Sequence, residues 1–171
     1  IQGPNKYAVK GTPADCVIIA NLGLMPSIDL VISGINIGAN LGLNTMMWSG
    51  TCGAAIEAAF FGIPAIALGQ EFRLKHFPPK EKIDGAEFSI AATHLHKIAE
   101  KTLSSGLPKG VDLLNVNFPH GAHNGIAVEP LGHTYMKGTL EKQGDDYIIG
   151  GVVEPDEVPG TDVYALHNER K

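Results

Sequence analysis

Three observations predict an α/β fold in which a mostly parallel sheet is covered by helices on both faces. Short apolar, branched runs recur at 28–32, 64–68 and 113–118. Stripes at helical spacing separate these runs. The joining segments are short and rich in Gly, Pro and Asn. Strands that alternate with helices over short loops imply crossover units, which pair strands in parallel and lay the helices over the sheet.

The elements follow in chain order. Thr12-Pro13-Ala14-Asp15 reads as a helix start, with Thr at the N-cap, Pro at the first helical position and an acid three residues after the cap. That helix is expected to end near Asn21-Leu22-Gly23, and Met25-Pro26-Ser27 punctuates the chain. Ile28-Asp29-Leu30-Val31-Ile32 then runs up to Ser33-Gly34 as a buried strand does. Cys52, Ala55, Ile56, Ala59 and Phe60 recur at helical spacing, Gly62 supplies a stop, and Pro64 to Leu68 is a second strand. Phe88, Ala91, Leu95, Ile98, Ala99 and Thr102 form the clearest stripe, closed by Gly106 and Pro108. Leu113 to Phe118 reads as the next strand. From Gly125 the runs Ile126-Ala127-Val128 and Tyr147-Ile148-Ile149 lie between turn-rich stretches, which predicts hairpins with no helix between them. The chain is read as one domain, 1–171, with a hairpin-rich excursion at 125–160.

Composition narrows the function. With 44% hydrophobic and 18% charged residues, the chain can bury one substantial core and lacks the signature of disorder. The formal charge of -5 comes with no Lys/Arg cluster, which argues against binding a nucleic-acid polymer. Leu30 to Ile56 carries no charged side chain, yet its three Asn, four Ser/Thr and five Gly argue against a membrane span. Cys16 and Cys52 are too few for a disulfide framework, so free thiols, each a small core residue, and a reducing, cytoplasmic setting are expected. The first residues do not resemble a signal peptide, and without an initiating Met the sequence is expected to be a piece of a longer protein.

The chemistry gathers between two of the strands. Gly stands at 34, 38 and 42, and Asn at 36, 40 and 44. Glycine costs a helix interior roughly 1 kcal/mol relative to Ala, so this density reads as a loop that brings backbone close to a ligand. The loop leaves the carboxyl end of a strand, where parallel-sheet proteins bind ligands. Asn offers a carbonyl oxygen to a hard cation and an amide donor to a phosphate oxygen. Ser49-Gly50-Thr51-Cys52-Gly53 sits at the next helix start, where backbone N–H groups and the helix dipole favour an anion. Taken singly, the first motif is an ordinary turn and Ser49 a plain N-cap. Two such loops around one crossover, with no charge between Asp29 and Glu57, weigh toward a site. Neither loop matches the dinucleotide fingerprint or the P-loop.

Other residues read as structural. His94 and His96 are two apart on a helix and cannot both face one ion. His120 and His123 read as surface loop residues, Asp145-Asp146 as a hairpin turn, and Asp162 as a turn residue after Pro159-Gly160. Trp48 reads as a plug in the core beneath the loop.

The motifs together resemble the stationary-phase survival protein E (SurE) family of metal-dependent nucleotide phosphatases. The resemblance rests on Gly-Thr-Pro-Ala-Asp-Cys at 11–16, Ser-Gly-Ile-Asn-Ile-Gly-Ala-Asn-Leu-Gly at 33–42, Ser-Gly-Thr-Cys-Gly-Ala-Ala-Ile-Glu at 49–57 and Gly-Ile-Pro-Ala-Ile-Ala at 62–67. Leu-Asn-Val-Asn-Phe-Pro at 114–119 and Pro-Gly-Thr-Asp at 159–162 are weaker echoes. It implies a Rossmann-like, three-layer core, a hairpin used in contacts of a homodimer or homotetramer, and hydrolysis of nucleoside monophosphates with a divalent cation, Mg2+ or Mn2+. Asn36 matches the family's metal-ligating asparagine, and Asn40, Ser49, Gly50 and Thr51 match its phosphate pocket. The family's Asn-Asp-Asp-Gly segment and a serine ligand have no counterpart here, so the acidic pair is expected upstream and no general base is assigned. The alternative is a non-catalytic nucleotide- or phosphate-binding module.

Overall fold

The computed structural model describes residues 5–72, 82–155 and 158–171. Helix α1, Pro13–Ile19, starts as its sequence predicts. The Thr12 hydroxyl accepts from the Asp15 N–H at 3.3 Å, while the Thr12 N–H donates to the Asp15 carboxylate at 2.6 Å. The Thr12 hydroxyl also donates to the same carboxylate at 2.8 Å, and the two bonds it accepts from Thr12, the backbone one first, hold the Asp15 carboxyl below its ordinary value. The helix widens into a π-helical turn at Ala20–Leu24.

Strand β1 spans Val31–Ile37, later and longer than the apolar run alone predicts. Pairing decides the difference: β1 lies parallel to β2, Ala65–Gln70, and Asn36 and Ile37 stay in register with Gly69 and Gln70. Gly34 absorbs an irregularity on the way. Its φ is +125°, and a Cβ there would meet the Leu68 carbonyl oxygen at 2.5 Å. Beyond Gly42 the Gly density lapses, and residues read from sequence as loop form a short helix, α2, Gly42–Trp48. Helix α3, Gly50–Phe60, follows at once, capped by Ser49.

Strand β3, Leu113–Phe118, pairs in parallel with β2 on its other side, giving the order β1-β2-β3. Central β2 is buried along its whole length. Side chains alternate across a strand, so Ala65 and Ala67 face one way and Ile66, Leu68 and Gln70 the other. Ala65 and Ala67 pack with Cys52, Ala54, Ala55 and Ala58 of α3 and with Val17 of α1. Small side chains on both surfaces bring α3 close to the sheet. Helix α4, Ser89–Ser105, covers the opposite face, where Gln70 bonds to the Glu87 carbonyl and His94 meets the Phe118 ring. The result is the predicted three-layer α/β core.

The excursion is a long antiparallel hairpin, β4, Thr134–Gln143, with β5, Asp146–Pro155, turning at Gly144-Asp145. The chain closes on a short helix, α5, Asp162–Tyr164, and a π-helical turn, Ala165–Glu169.

Three expectations are corrected. Ile126-Ala127-Val128 joins no strand, and Ile126 and Val128 are 81% and 96% exposed, because an extended run without a strand beside it gains no ladder. Trp48 closes α2 on its outer side at 70% exposure, so it does not plug the core. Cys16 is likewise exposed, since α1 turns Val17 inward, and only Cys52 of the two cysteines is buried; neither forms a disulfide.

Candidate functional site

Period-2 alternation brings asparagines together at the carboxyl end of the sheet. Asn36 of β1, Gly69 of β2 and Asn117 of β3 lie in one register row, and Asn115 lies one pleat back on the same face. Asn40, on the loop that passes over this end, completes the cluster. Its backbone N–H donates to Asn117 Oδ1 at 2.7 Å, and its carbonyl accepts from Asn115 Nδ2 at 2.8 Å and Asn117 Nδ2 at 3.3 Å. The row closes tightly over Gly69, where a Cβ would sit 2.6 Å from Asn117 Oδ1 and 3.0 Å from Asn40 Nδ2.

The Asn40 side chain is 1% exposed. Its Oδ1 accepts from the Ser49 hydroxyl at 2.6 Å and from Asn36 Nδ2 at 3.5 Å. Those bonds fix the amide's orientation, and Nδ2 is left buried with no hydrogen-bond partner. Ser49 is therefore more than a cap. Its Oγ donates to Asn40 while accepting from the Cys52 N–H at 3.2 Å, which ties the cluster to the first turn of α3. Gly50 is exposed and Thr51 half-buried on that turn. Asn36 spends its nitrogen on the Gly38 carbonyl at 2.9 Å and on Asn40, and its carbonyl oxygen enters neither bond. Burial between α3 and the sheet pushes the Cys52 thiol up, against a smaller opposing pull from Ser49.

A carboxylate braces this wall from behind. Asp162 accepts from the Gly42 N–H at 2.8 Å through Oδ2, and from the Gly132 and Val163 N–H groups at 2.7 and 2.8 Å through Oδ1. It pins the start of α2 to two distant segments.

The structure thus gathers Asn36, Asn40 and Ser49 and sets Gly50 and Thr51 beside them. It adds Asn115 and Asn117, read from sequence only as part of a strand and a weak motif echo, and Asp162, read as a turn residue. The Asn-x-Asn spacing of 115–117 carried a signal, because two residues apart on a strand share a face. His94, His96 and His123 meet partners outside this cluster. His96 pairs with Glu100 at 3.4 Å on an exposed helix face, whereas His94 meets the His123 ring at 5.3 Å. Among the described residues no group of three His, Cys, Asp or Glu side chains could hold a metal ion.

A parallel α/β sheet with polar amides and a capped helix start beyond its carboxyl ends defines a Rossmann-like protein, a class whose ligands bind beyond the carboxyl ends of the strands. The family model for survival protein SurE matches residues 1–138, and the chain belongs to the SurE family. It is 42% identical over 173 residues to a 5'-nucleotidase SurE of Thermococcus gammatolerans, spanning 96% of this chain and 63% of that protein. A 5'-nucleotidase SurE of Archaeoglobus fulgidus is 41% identical over 172 residues, spanning 97% and 65%. Among solved structures, the SurE protein from Aquifex aeolicus superposes with a TM-score of 0.70 at 32% identity, covering 94% of this chain and 64% of that one. The chain therefore spans just under two thirds of the length of these proteins. Among the described residues no helix is long and apolar enough to cross a membrane.

Proposed function

We propose that the cluster is one wall of the active site of a metal-dependent phosphomonoesterase that hydrolyses nucleoside monophosphates. The observation that carries this reading is the buried Asn40 amide donor without an acceptor, held beside the Ser49-capped start of α3. An unpaired buried donor costs about 1–3 kcal/mol, which a phosphate oxygen relieves. The 11-residue α3 adds the positive end of its dipole, worth about 0.3–1 kcal/mol. Donors aimed at developing charge are worth more, about 2.7–4 kcal/mol each, so Asn40 and the Gly50-Thr51 turn dominate the phosphate contacts. Ser49 holds the Asn40 amide in place.

Asn36 Oδ1 is a hard oxygen donor free of the cluster's bonds and suits Mg2+ or Mn2+. It supplies one ligand position, and the acidic ligands belong elsewhere in the protein. A cation held there would polarise the phosphoryl oxygen and lower the pKa of a water. The amides orient the phosphoryl group, and their neutrality spares the anion any repulsion. Named relatives carry a 5'-nucleotidase description, which supports the nucleotide class. The exposed Leu140, Tyr147 and Ile148 of the hairpin support its use between subunits of a homodimer or homotetramer, a state that light scattering reads directly.

The test is phosphate release from nucleoside monophosphates by the full-length protein, with and without EDTA. Asn36→Ala is expected to lose most turnover while melting as the parent does. Turnover untouched by EDTA, or parental rates in Asn36→Ala, would overturn the reading. Tight nucleotide binding without hydrolysis would leave a binding module instead.

A further inference from the structure

The far strand of the sheet holds the loop that carries the unpaired donor. Asn117 of β3 lies beside Gly69 of β2, where a Cβ would sit 2.6 Å from its Oδ1, and it meets both backbone groups of Asn40. Its Oδ1 accepts the Asn40 N–H at 2.7 Å, and its Nδ2 donates to the Asn40 carbonyl at 3.3 Å. The same Nδ2 donates to Asn115 Oδ1 at 3.3 Å, while Asn115 Nδ2 adds a second bond to the Asn40 carbonyl at 2.8 Å. A backbone residue offers one N–H and one carbonyl with two lone pairs. All three positions on Asn40 are therefore taken by two side chains that lie 75 and 77 residues along the chain.

This arrangement demands an amide at 117. The group there must accept from an N–H and donate to a carbonyl at once, and only one orientation does so, because a flip would set N–H against N–H and carbonyl against carbonyl. A carboxylate can only accept, and an apolar side chain of the same size does neither. The backbone of Asn40 is also the base from which its side chain springs. Ser49 and Asn36 fix how the side-chain amide is turned, β3 fixes where it begins, and the two together place Nδ2, which is buried without a partner. A donor aimed at developing charge acts over a narrow range of positions, and a displacement of about 1 Å can cost about a hundredfold in rate. Without the Asn117 amide, Asn115 is left on the Asn40 carbonyl and the Asn40 N–H loses its acceptor.

We infer that Asn117 is a positioning residue for phosphoryl transfer: through both backbone groups of Asn40 it aims the Asn40 Nδ2 donor at the phosphoryl oxygen. The inference rests on the phosphatase reading for the reaction, and phosphate binding tests the aiming of the donor separately. Full-length parent, Asn117→Asp and Asn117→Leu are compared over a range of pH by hydrolysis of a nucleoside monophosphate and by calorimetric titration with inorganic phosphate, both with Mg2+ present and referred to the folded fraction read by circular dichroism. Near neutrality both variants are expected to lose about tenfold to a hundredfold in kcat, with KM changed less, and to bind inorganic phosphate more weakly. As pH falls into the carboxyl range, Asn117→Asp regains a donor, so its rate relative to the parent rises, whereas the Asn117→Leu ratio stays flat. His94, His123, Glu129, Asp162 and Lys171 share a cavity with Asn117, and the Cys52 thiol lies 3.9 Å from Asn115 Oδ1. These groups are common to parent and variants, so the ratio reads residue 117. Parental kcat in both variants, or an Asn117→Asp ratio that stays flat with pH, would overturn the inference. Should Asn117→Leu fail to fold, the pH ratio of Asn117→Asp decides alone. A parent that binds phosphate but releases none, with binding weakened in the variants, would sink the phosphatase reading and leave the aiming of the donor standing; phosphate release unchanged by either variant does the reverse.

Discussion

Removing the Asp162 carboxylate should unfasten the wall from behind, and its three bonds allow the size of the effect to be worked out. Asp162→Asn keeps one carbonyl oxygen, enough for the Gly132 and Val163 N–H groups that share Oδ1. It puts an NH₂ where Oδ2 accepts the Gly42 N–H, so two donors face each other. A hydrogen bond to a charged group contributes about 1.5–3 kcal/mol, and that is the expected loss. Asp162→Ala strips acceptors from all three N–H groups. The three bonds share one carboxylate and water can reach part of the gap, so about 3–4 kcal/mol is expected instead of the full sum. At this chain length 1 kcal/mol moves the melting temperature by about 2–4 °C, giving drops of about 3–12 °C for Asn and about 6–16 °C for Ala. Circular dichroism melts on the purified variants read both. If Asp162→Ala melted within about 2 °C of the parent, or Asn cost as much as Ala, the carboxylate would not be the brace described.

Gly69→Ala should cost about 1–3 kcal/mol by overpacking, because its Cβ would press on Asn117 Oδ1 at 2.6 Å and on the Gly38 carbonyl at 2.8 Å. Gly53→Ala, inside α3 with nothing within 4 Å of its Cβ, should stabilise by about 0.5–1 kcal/mol, and equal melting shifts in the two variants would contradict the packing at Gly69. Exposed Cys16 should react with a thiol reagent in the folded chain while Cys52, buried and pushed up in pKa, waits for denaturant; fast labelling of both would mean that α3 does not seal the sheet. The Asp15 carboxyl is held below its ordinary value in the fold, so its contribution to α1 is present above the ordinary carboxyl range and lost as pH falls through the lowered value. Asp15→Asn should therefore lower the melting point near neutrality and converge on the parent in strong acid, whereas a gap constant with pH would exclude the capping box.

Local rules read well where a segment decides its own form. The Thr12-Pro13-Ala14-Asp15 start, the α4 stripe and the 113–118 strand needed nothing beyond spacing and caps. Asn40 and Ser49 were legible as polar loop residues beside a helix start, although their bond to each other was not. What stayed hidden depended on partners far along the chain. The extension of β1 to Ile37 follows from pairing with β2, and the roles of Asn115, Asn117 and Asp162 follow from backbone groups 75 to 120 positions away. Trp48 was misjudged because a large apolar ring ordinarily seeks a core, whereas here α2 sets it on the outer side of a short helix.

Those sequence distances set a timetable for a chain leaving the ribosome. The loop at Asn40 cannot take its shape until Asn115 and Asn117 have emerged, and Gly42 waits 120 residues for Asp162. At roughly 5–20 residues per second those waits are about 4–15 s and about 6–24 s. During that interval the glycine- and asparagine-rich segment exists without its anchors, and nascent chains halted before residue 117 would hold every residue of the first loop yet lack the Asn117 bonds that fix the Asn40 backbone. The fixed loop is a late product of synthesis even though its first residues are made early.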